Sequence, residues 1–273
     1  MTDDAPHTRS APEAASQLVL SMRVDPVEFD DVVRIVGRWA APRSPVAGRM
    51  VCAANVHMVM EAWDDPGYRA IINGADLVVP DGQPLVWALR WLGVPQRRRV
   101  RVSPDLLVRL FAEAERSGSA VGLYGGSDQT LPQFMASLAK QWPSLRVPFA
   151  WAPPFRPLTT NEDAEVVERI SAAGVRLLLV GLGCPKQERW MAEHRERLSC
   201  VMIGVGAAFD LFGGRTKEAP RWTRDIGLEW AWRLVQEPRR LWRRHARHDP
   251  RFIALLLWQI IGRRGKQRSD PRL

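Results

Sequence analysis

Five short, unbroken apolar runs constrain the fold of this chain more than any other feature: Val51–Ala54, Leu77–Val79, Ala120–Tyr124, Leu177–Val180 and Val201–Val205. A strand with one wet face alternates apolar and polar residues; these runs do not, so both of their faces are covered. Most run straight into Gly, Pro or Asp, as strands ending in turns do. Between them lie stretches of helical character, Pro84–Leu92, Asp105–Arg116, Leu131–Gln141, Glu162–Ala173 and Gln187–Arg197. Strands alternating with helices build βαβ units. The expected fold is therefore α/β, a Rossmann-like, mainly parallel sheet flanked by helices.

Ligands of such sheets bind outside the carboxyl ends of the strands, so the residues following each run are the ones to inspect. They are Asn55 and His57; Pro80-Asp81-Gly82; Gly125-Gly126-Ser127-Asp128; the segment Gly181 to Glu188; and Gly206 with Phe209-Asp210. Gly125-Gly126-Ser127 ahead of a helix has the layout of a phosphate cradle, and it fits a plain strand-to-helix turn equally well. The segments starting at Gly181 and Gly204 begin like GxGxxG but lack its third glycine, which disfavours a dinucleotide cofactor. No cofactor is expected.

Pro80-Asp81-Gly82 is a good turn sequence. It also sets a carboxylate at the exit of an apolar strand, where partial desolvation lifts its pKa and makes it a usable general base. Gln187 and Glu188 open a helix after a proline: Glu188 suits the first turn for dipole reasons, while Gln187 is equally able to hydrogen-bond a hydroxylated ligand. His57 reads as a surface imidazole. No DxD motif exists, and the adjacent pairs Asp30-Asp31 and Asp64-Asp65 read as solvated, so no metal site is expected. Cys52, Cys184 and Cys200 are widely spaced with no CxxC pair, and read as small buried hydrophobes in a reducing cytosol.

Charge is unevenly placed. Of 39 Lys+Arg and 30 Asp+Glu, 16 basic and 6 acidic residues follow Gly214, so the last 59 residues carry +10 and the first 214 carry −1. That excludes a uniformly basic coat for nucleic acid. The expected partition is a leader at 1–17, disordered and lacking the apolar core of a signal peptide, an α/β catalytic domain at 18–214, and a basic Arg/Trp-rich helical appendage at 215–273. Within the appendage, Phe252–Ile261 is apolar except for Gln259. That run is too short for the roughly 20 residues of a spanning helix. Flanked by arginines and tryptophans, it suits an interfacial helix on an anionic leaflet. Docking on the body, a dimer contact, or nucleic-acid binding by the Arg/Trp mixture are the other readings of the same residues.

The order of motifs resembles the WecG/TagA/CpsF glycosyltransferases, glycosyltransferase family 26. The resemblance rests on Asn55-Val56, Ala75-Asp76-Leu77-Val78-Val79-Pro80-Asp81-Gly82, Leu123-Tyr124-Gly125-Gly126, Val180-Gly181-Leu182-Gly183-Cys184-Pro185-Lys186-Gln187-Glu188 and Val205-Gly206-Ala207-Ala208-Phe209-Asp210. Gly214-Arg215, Ala219-Pro220-Arg221-Trp222, Gly227-Leu228-Glu229-Trp230, Arg233-Leu234 and Glu237-Pro238-Arg239-Arg240 extend it, so that it covers roughly residues 20–245. It implies an inverting enzyme that moves a sugar (N-acetylmannosamine, its uronic acid or a hexose) from a UDP-sugar to a polyprenyl-diphosphate-linked saccharide. The setting it implies is the cytoplasmic face of the membrane, in cell-surface polysaccharide synthesis, with no metal in the transfer.

Carried over by position, the resemblance makes Asp81 the general base and has Asn55, Arg99 and Gln187 line the sugar and diphosphate pocket. Gly125, Gly126, Gly183 and Asp210 border the nucleotide, and Arg221, Arg233 and Arg240 close over the diphosphates. Two positions depart from the family pattern: Ala53 replaces a usual Thr, and Val102-Ser103-Pro104-Asp105 replaces a usual V-T-G-x-D. These departures motivate an alternative, a catalytically idle nucleotide-binding or scaffold protein of a polysaccharide assembly complex. The expected partners are thus a UDP-sugar, a lipid-diphosphate saccharide and an anionic membrane surface, not nucleic acid. The sequence allows a homo-oligomer.

Overall fold

The computed structural model describes residues 16–42, 47–95, 100, 102–220, 223, 229–236 and 238–269. The expected leader, save its last two residues, lies outside them. The five apolar runs form the strands β3 (Arg49–Ala54), β4 (Leu77–Pro80), β5 (Val121–Gly125), β7 (Leu177–Gly181) and β8 (Val201–Gly204). A short edge strand, β6 (Phe149–Trp151), completes a six-stranded sheet in the order β4-β3-β8-β7-β5-β6, every neighbouring pair parallel. An antiparallel hairpin, β1 (Gln17–Val19) and β2 (Met22–Val24), stands apart from this sheet.

Both faces of the sheet are buried, as the unbroken runs require. Met50, Cys52 and Ala54 of β3 point into one core layer, and Val51 and Ala53 into the other, with the same alternation along β7 and β8. The first layer packs against α2 (Val56–Asp64), α3 (Pro66–Gly74), α4 (Gln83–Trp91), α7 (Thr160–Ala172) and α8 (Lys186–His194). The second packs against α1 (Phe29–Ala40), α5 (Leu107–Ser117), α6 (Thr130–Gln141) and the short α9 (Ala208–Phe212).

Local signals set the helix ends. Asn55 caps α2 by accepting the Met58 N–H, and Asp65 caps α3 by accepting from Gly67 and Tyr68. Thr159 and Glu162 form a capping box on α7, and Gly118 closes α5 in the left-handed conformation at φ 72°. Cys52 and Cys200 are buried as expected, and burial pushes the Cys52 thiol well up and the Cys200 thiol up to about 12, whereas Cys184 is only half-buried and sits 3.3 Å from the Tyr68 hydroxyl.

Two further helices follow, α10 (Glu229–Gln236) and the long α11 (Pro238–Ser269). The apolar run of α11 divides between two faces. Phe252 and Leu256 are buried in the first core layer, while Ile253, Leu257, Trp258 and Ile261 are exposed. Gln259 reaches the hairpin, accepting from the Leu20 N–H and donating to the Leu18 carbonyl. Arg251 makes two bonds to Asp64, at 2.7 and 2.6 Å. Asp64 and Asp65 are therefore not merely solvated: one anchors α11, and the other caps α3 while pairing with Arg189. No described helix is long and apolar enough to cross a membrane.

Candidate active site

Because every strand of the six-stranded sheet runs the same way, its six carboxyl ends lie along one edge, in the order of the sheet. Parallel register opposes Ala54 to Pro80, so the next residues, Asn55 and Asp81, come out side by side at the ends of β3 and β4. Backbone bonds lock this corner: the Asp81 and Gly82 N–H groups both donate to the Ala54 carbonyl, at 2.9 and 3.2 Å. A Cβ at position 82 would sit 3.6 Å from the Asn55 Cα, an ordinary contact, so the corner is set by these backbone bonds and not by the glycine.

Asp81 is half-buried, and its Oδ1 accepts the Val102 N–H at 2.8 Å. Val102 opens a single π-helical turn, Val102–Leu106, that leads into α5. Such turns recur at functional sites because they redirect backbone groups out of a regular ladder. The departing segment Val102-Ser103-Pro104-Asp105 thus holds Asp81 through a main-chain donor that does not depend on which side chains follow. Ala53 packs in the second core layer at 9% exposure.

Gln187 is buried on the first turn of α8 and bridges to the end of β8. Its Oε1 accepts the Gly206 N–H at 3.2 Å, and its Nε2 donates to Glu188 Oε1 at 2.6 Å. Glu188 is fully buried, with Tyr68 Oη donating to its other oxygen at 3.2 Å. Burial raises the Glu188 carboxyl above its usual range, as the low dielectric disfavours the charged form. Sequence reasoning assigned Glu188 an ordinary first-turn place; its use as the anchor of the Gln187 amide went unseen, and so did Tyr68, whose contact comes from a distant helix.

The chain leaves β5 toward β6 and leaves β7 toward β8, in opposite directions. Accordingly α6 and α8 lie on opposite faces of the sheet: Phe134 and Leu138 are in one core layer, Trp190 and Met191 in the other. The gap between the ends of β5 and β7 is the topological switch point, where α/β sheets open a crevice. Gly125, Gly126, Gly181 and Gly183 border it. Their reasons for being glycine differ. A Cβ on Gly181 would lie 2.2 Å from the Phe209 ring, one on Gly126 2.8 Å from it, and one on Gly125 2.6 Å from the Gly181 carbonyl. Packing alone demands Gly181, while Gly125 (φ 141°) and Gly126 (φ 75°) combine a packing demand with a backbone conformation that favours glycine. Gly183 (φ 79°) and Gly206 (φ 52°) have open space around the missing Cβ and are glycines for backbone conformation only.

Ser127 and Thr130 bond reciprocally at the start of α6, and the Thr130 hydroxyl takes the Ser127 N–H at 3.0 Å. One donor of the supposed phosphate cradle is thereby committed internally. Asp210 on α9 receives the Arg215 and Thr216 N–H groups on its carbonyl and faces Arg215 Nη1 at 3.4 Å. Arg99 and Arg221 fall outside the described residues. Arg233 lies on α10 and Arg240 on α11, with side chains outside the description.

The edge therefore presents a half-buried carboxylate and an amide at one end and a buried glutamine at the middle, followed by glycines at the β5–β7 switch point, of which Gly183 has open space beside it. A family model described as "Glycosyl transferase WecG/TagA/CpsF family" matches residues 17–266.

Proposed function

The chain belongs to the WecG/TagA/CpsF glycosyl transferase family, and from that premise we propose that it transfers a sugar from a UDP-sugar to a polyprenyl-diphosphate-linked saccharide with inversion, Asp81 serving as general base. The family places it among the glycosyltransferases of cell-surface polysaccharide synthesis, with a nucleotide-sugar donor and a lipid-linked acceptor. The observation that carries the finer reading is the corner at β3 and β4, where register, two backbone hydrogen bonds and one main-chain N–H on the carboxylate hold Asp81 at the strand exit next to that of Asn55.

In the reaction, Asp81 takes the proton of the acceptor hydroxyl as its oxygen forms a bond to the anomeric carbon. The bond from that carbon to the donor phosphate breaks, and UDP departs with the electron pair. Attack from the face opposite the leaving group inverts the centre. The departing diphosphate gains charge, which calls for cations or N–H dipoles where that charge develops. Arg99, Arg221, Arg233 and Arg240 are the proposed cations. The crevice beside Gly183 and Gly206 is the proposed place of the nucleotide, because backbone there is open rather than packed shut. Asn55 and Gln187 are proposed to orient the sugar, Gln187 being held by Glu188 and the Gly206 N–H.

The exposed face of α11, with Ile253, Leu257, Trp258 and Ile261, is proposed to contact the membrane that carries the acceptor. The test is transfer from a panel of UDP-sugars to a short-chain lipid-diphosphate saccharide. Turnover with at least one donor is the expected result; UDP binding without turnover across the panel would favour an idle scaffold.

A further inference from the structure

Where α2 meets α11, three side chains with metal-ligand chemistry converge: His57 and Glu61, one helical turn apart on α2, and His248 from α11. Their ligand atoms all lie within 4.8 Å of one another. Glu61 Oε1 stands between the two imidazoles, 3.7 Å from His57 Nδ1 and 3.9 Å from His248 Nε2. The two rings meet edge-on, with centroids 5.1 Å apart. The His248 side chain is 7% exposed, that of His57 17% and that of Glu61 32%, so the group is shielded without being sealed.

We propose that His57, Glu61 and His248 bind one divalent transition-metal ion, zinc being the best match, and that the ion fastens α11 to the body. Both contacts to Glu61 exceed the 2.7–3.2 Å or so of an N–H···O hydrogen bond. They suit a group with an ion between its members: ligands about 2.0–2.2 Å from a tetrahedral zinc lie roughly 3.4 Å from each other. The two contacts to Glu61 exceed that spacing by only about 0.3–0.5 Å, and the widest pair, still within 4.8 Å, closes by rotation of the imidazoles about their side-chain bonds. Two imidazoles and one carboxylate select a borderline ion over magnesium or calcium, which prefer all-oxygen sets. Three protein ligands leave one position for water.

The surroundings pre-position the ligands. One turn beyond His248, Phe252 is sunk in the core, and Arg251 grips Asp64, which is itself one residue short of a turn from Glu61 on α2. The seam is therefore held in register on both helices whether or not the ion is bound. The ion adds a link between parts of the chain far apart in sequence, and no step of the transfer is routed through it.

Untagged full-length protein, stripped with a chelator, is titrated with Co²⁺ and then with Zn²⁺. The expected result is one Co²⁺ per chain with the intensified visible bands of a four- or five-coordinate site, displaced by one Zn²⁺. Zn²⁺ should also slow tryptic cleavage within α11. The variants Glu61→Gln and His57→Ala/His248→Ala, checked for wild-type circular dichroism, should lose more than about 100-fold in Co²⁺ affinity, beyond the usual effect of an outer-shell change. Failure to bind one equivalent, or Co²⁺ binding unchanged in Glu61→Gln, overturns the proposal. Glu61→Gln keeps size and polarity, so it decides the matter even where the double variant does not fold.

Discussion

Helix α2 has a polar cluster at each end, and the two clusters differ in how they are built. At its start, Asn55 caps the helix beside Asp81, held by backbone groups of neighbouring strands. Toward its end, Glu61 and Asp64 face α11, held by side chains from far along the chain. The first arrangement follows from parallel register; the second depends on a helix docking. A main-chain corner keeps its geometry when one side chain changes, which suits chemistry. A seam of side chains ties two elements together, which suits stability. The predicted division is that the corner governs turnover and the seam governs folding.

The largest effect should fall on the corner. Asp81→Asn should lower turnover about 10²–10⁴-fold, the usual worth of a general base, while the unfolding midpoint and UDP affinity stay at wild-type values. A variant equally slow but also destabilised would break the division. Next comes Phe252→Ala on the seam. Truncating a buried phenylalanine in the shared core should cost about 3–5 kcal/mol in denaturant unfolding. If α11 were a separable appendage, the transition of the body would not move.

Gly181→Ala probes the crevice side of the edge. Its methyl would collide with Phe209, and overpacking of this kind costs about 1–3 kcal/mol. Combining it with Phe209→Ala should relieve the clash, so the two changes should be non-additive in a double-mutant cycle.

Glu188→Gln is smaller and depends on pH. Because burial raises the folded-state carboxyl above its ordinary 4.5, the folded chain keeps a proton that the unfolded chain releases. Stability is therefore lost as pH rises from the ordinary carboxylate range through the raised one. Glu188→Gln should flatten that slope and be the more stable form at neutral pH by roughly 1 kcal/mol, the scale of a single hydrogen-bond change. Unfolding midpoints across the pH range check this. The smallest effect belongs to Arg251→Ala at the exposed rim of the seam, which should lower the midpoint slightly, by less than Glu188→Gln raises it, since exposed ion pairs are largely offset by solvent and entropy.

The same contrast explains what could be read in advance. Asp81, Asn55, Gln187 and the glycines were legible because a parallel sheet gathers all strand exits on one edge, so chain order alone brings them together. The edge strand β6 and the hairpin, at three residues per strand, leave too short a hydrophobic pattern to register. Phe209 beneath Gly126 and Gly181 depends on the angle at which α9 leaves β8, which no local pattern encodes. For the same reason the sequence leaves open whether Gly125-Gly126 is a phosphate cradle or a plain turn, and does not reveal that Gly126 and Gly181 also make room for Phe209. Glu188 sits where a solvated first-turn acid belongs, and only the approach of Tyr68 and Gln187 makes it a buried one. His57 and Glu61 share a helical face, but the third member, His248, arrives with α11. The apolar run Phe252–Ile261 fits an interfacial helix or docking on the body, and the pattern alone does not say which residues take which face: Phe252 and Leu256 go to the core, Ile253, Leu257, Trp258 and Ile261 to the surface.

The central claim is that the corner carries out a single displacement with Asp81 as base. Its most direct measurement is the anomeric configuration of the newly formed bond, read by NMR on product from an active donor. The account predicts the configuration opposite to that of the donor, in wild type and in the residual product of Asp81→Asn alike. A retained configuration, or a sugar trapped covalently on the protein, would contradict it.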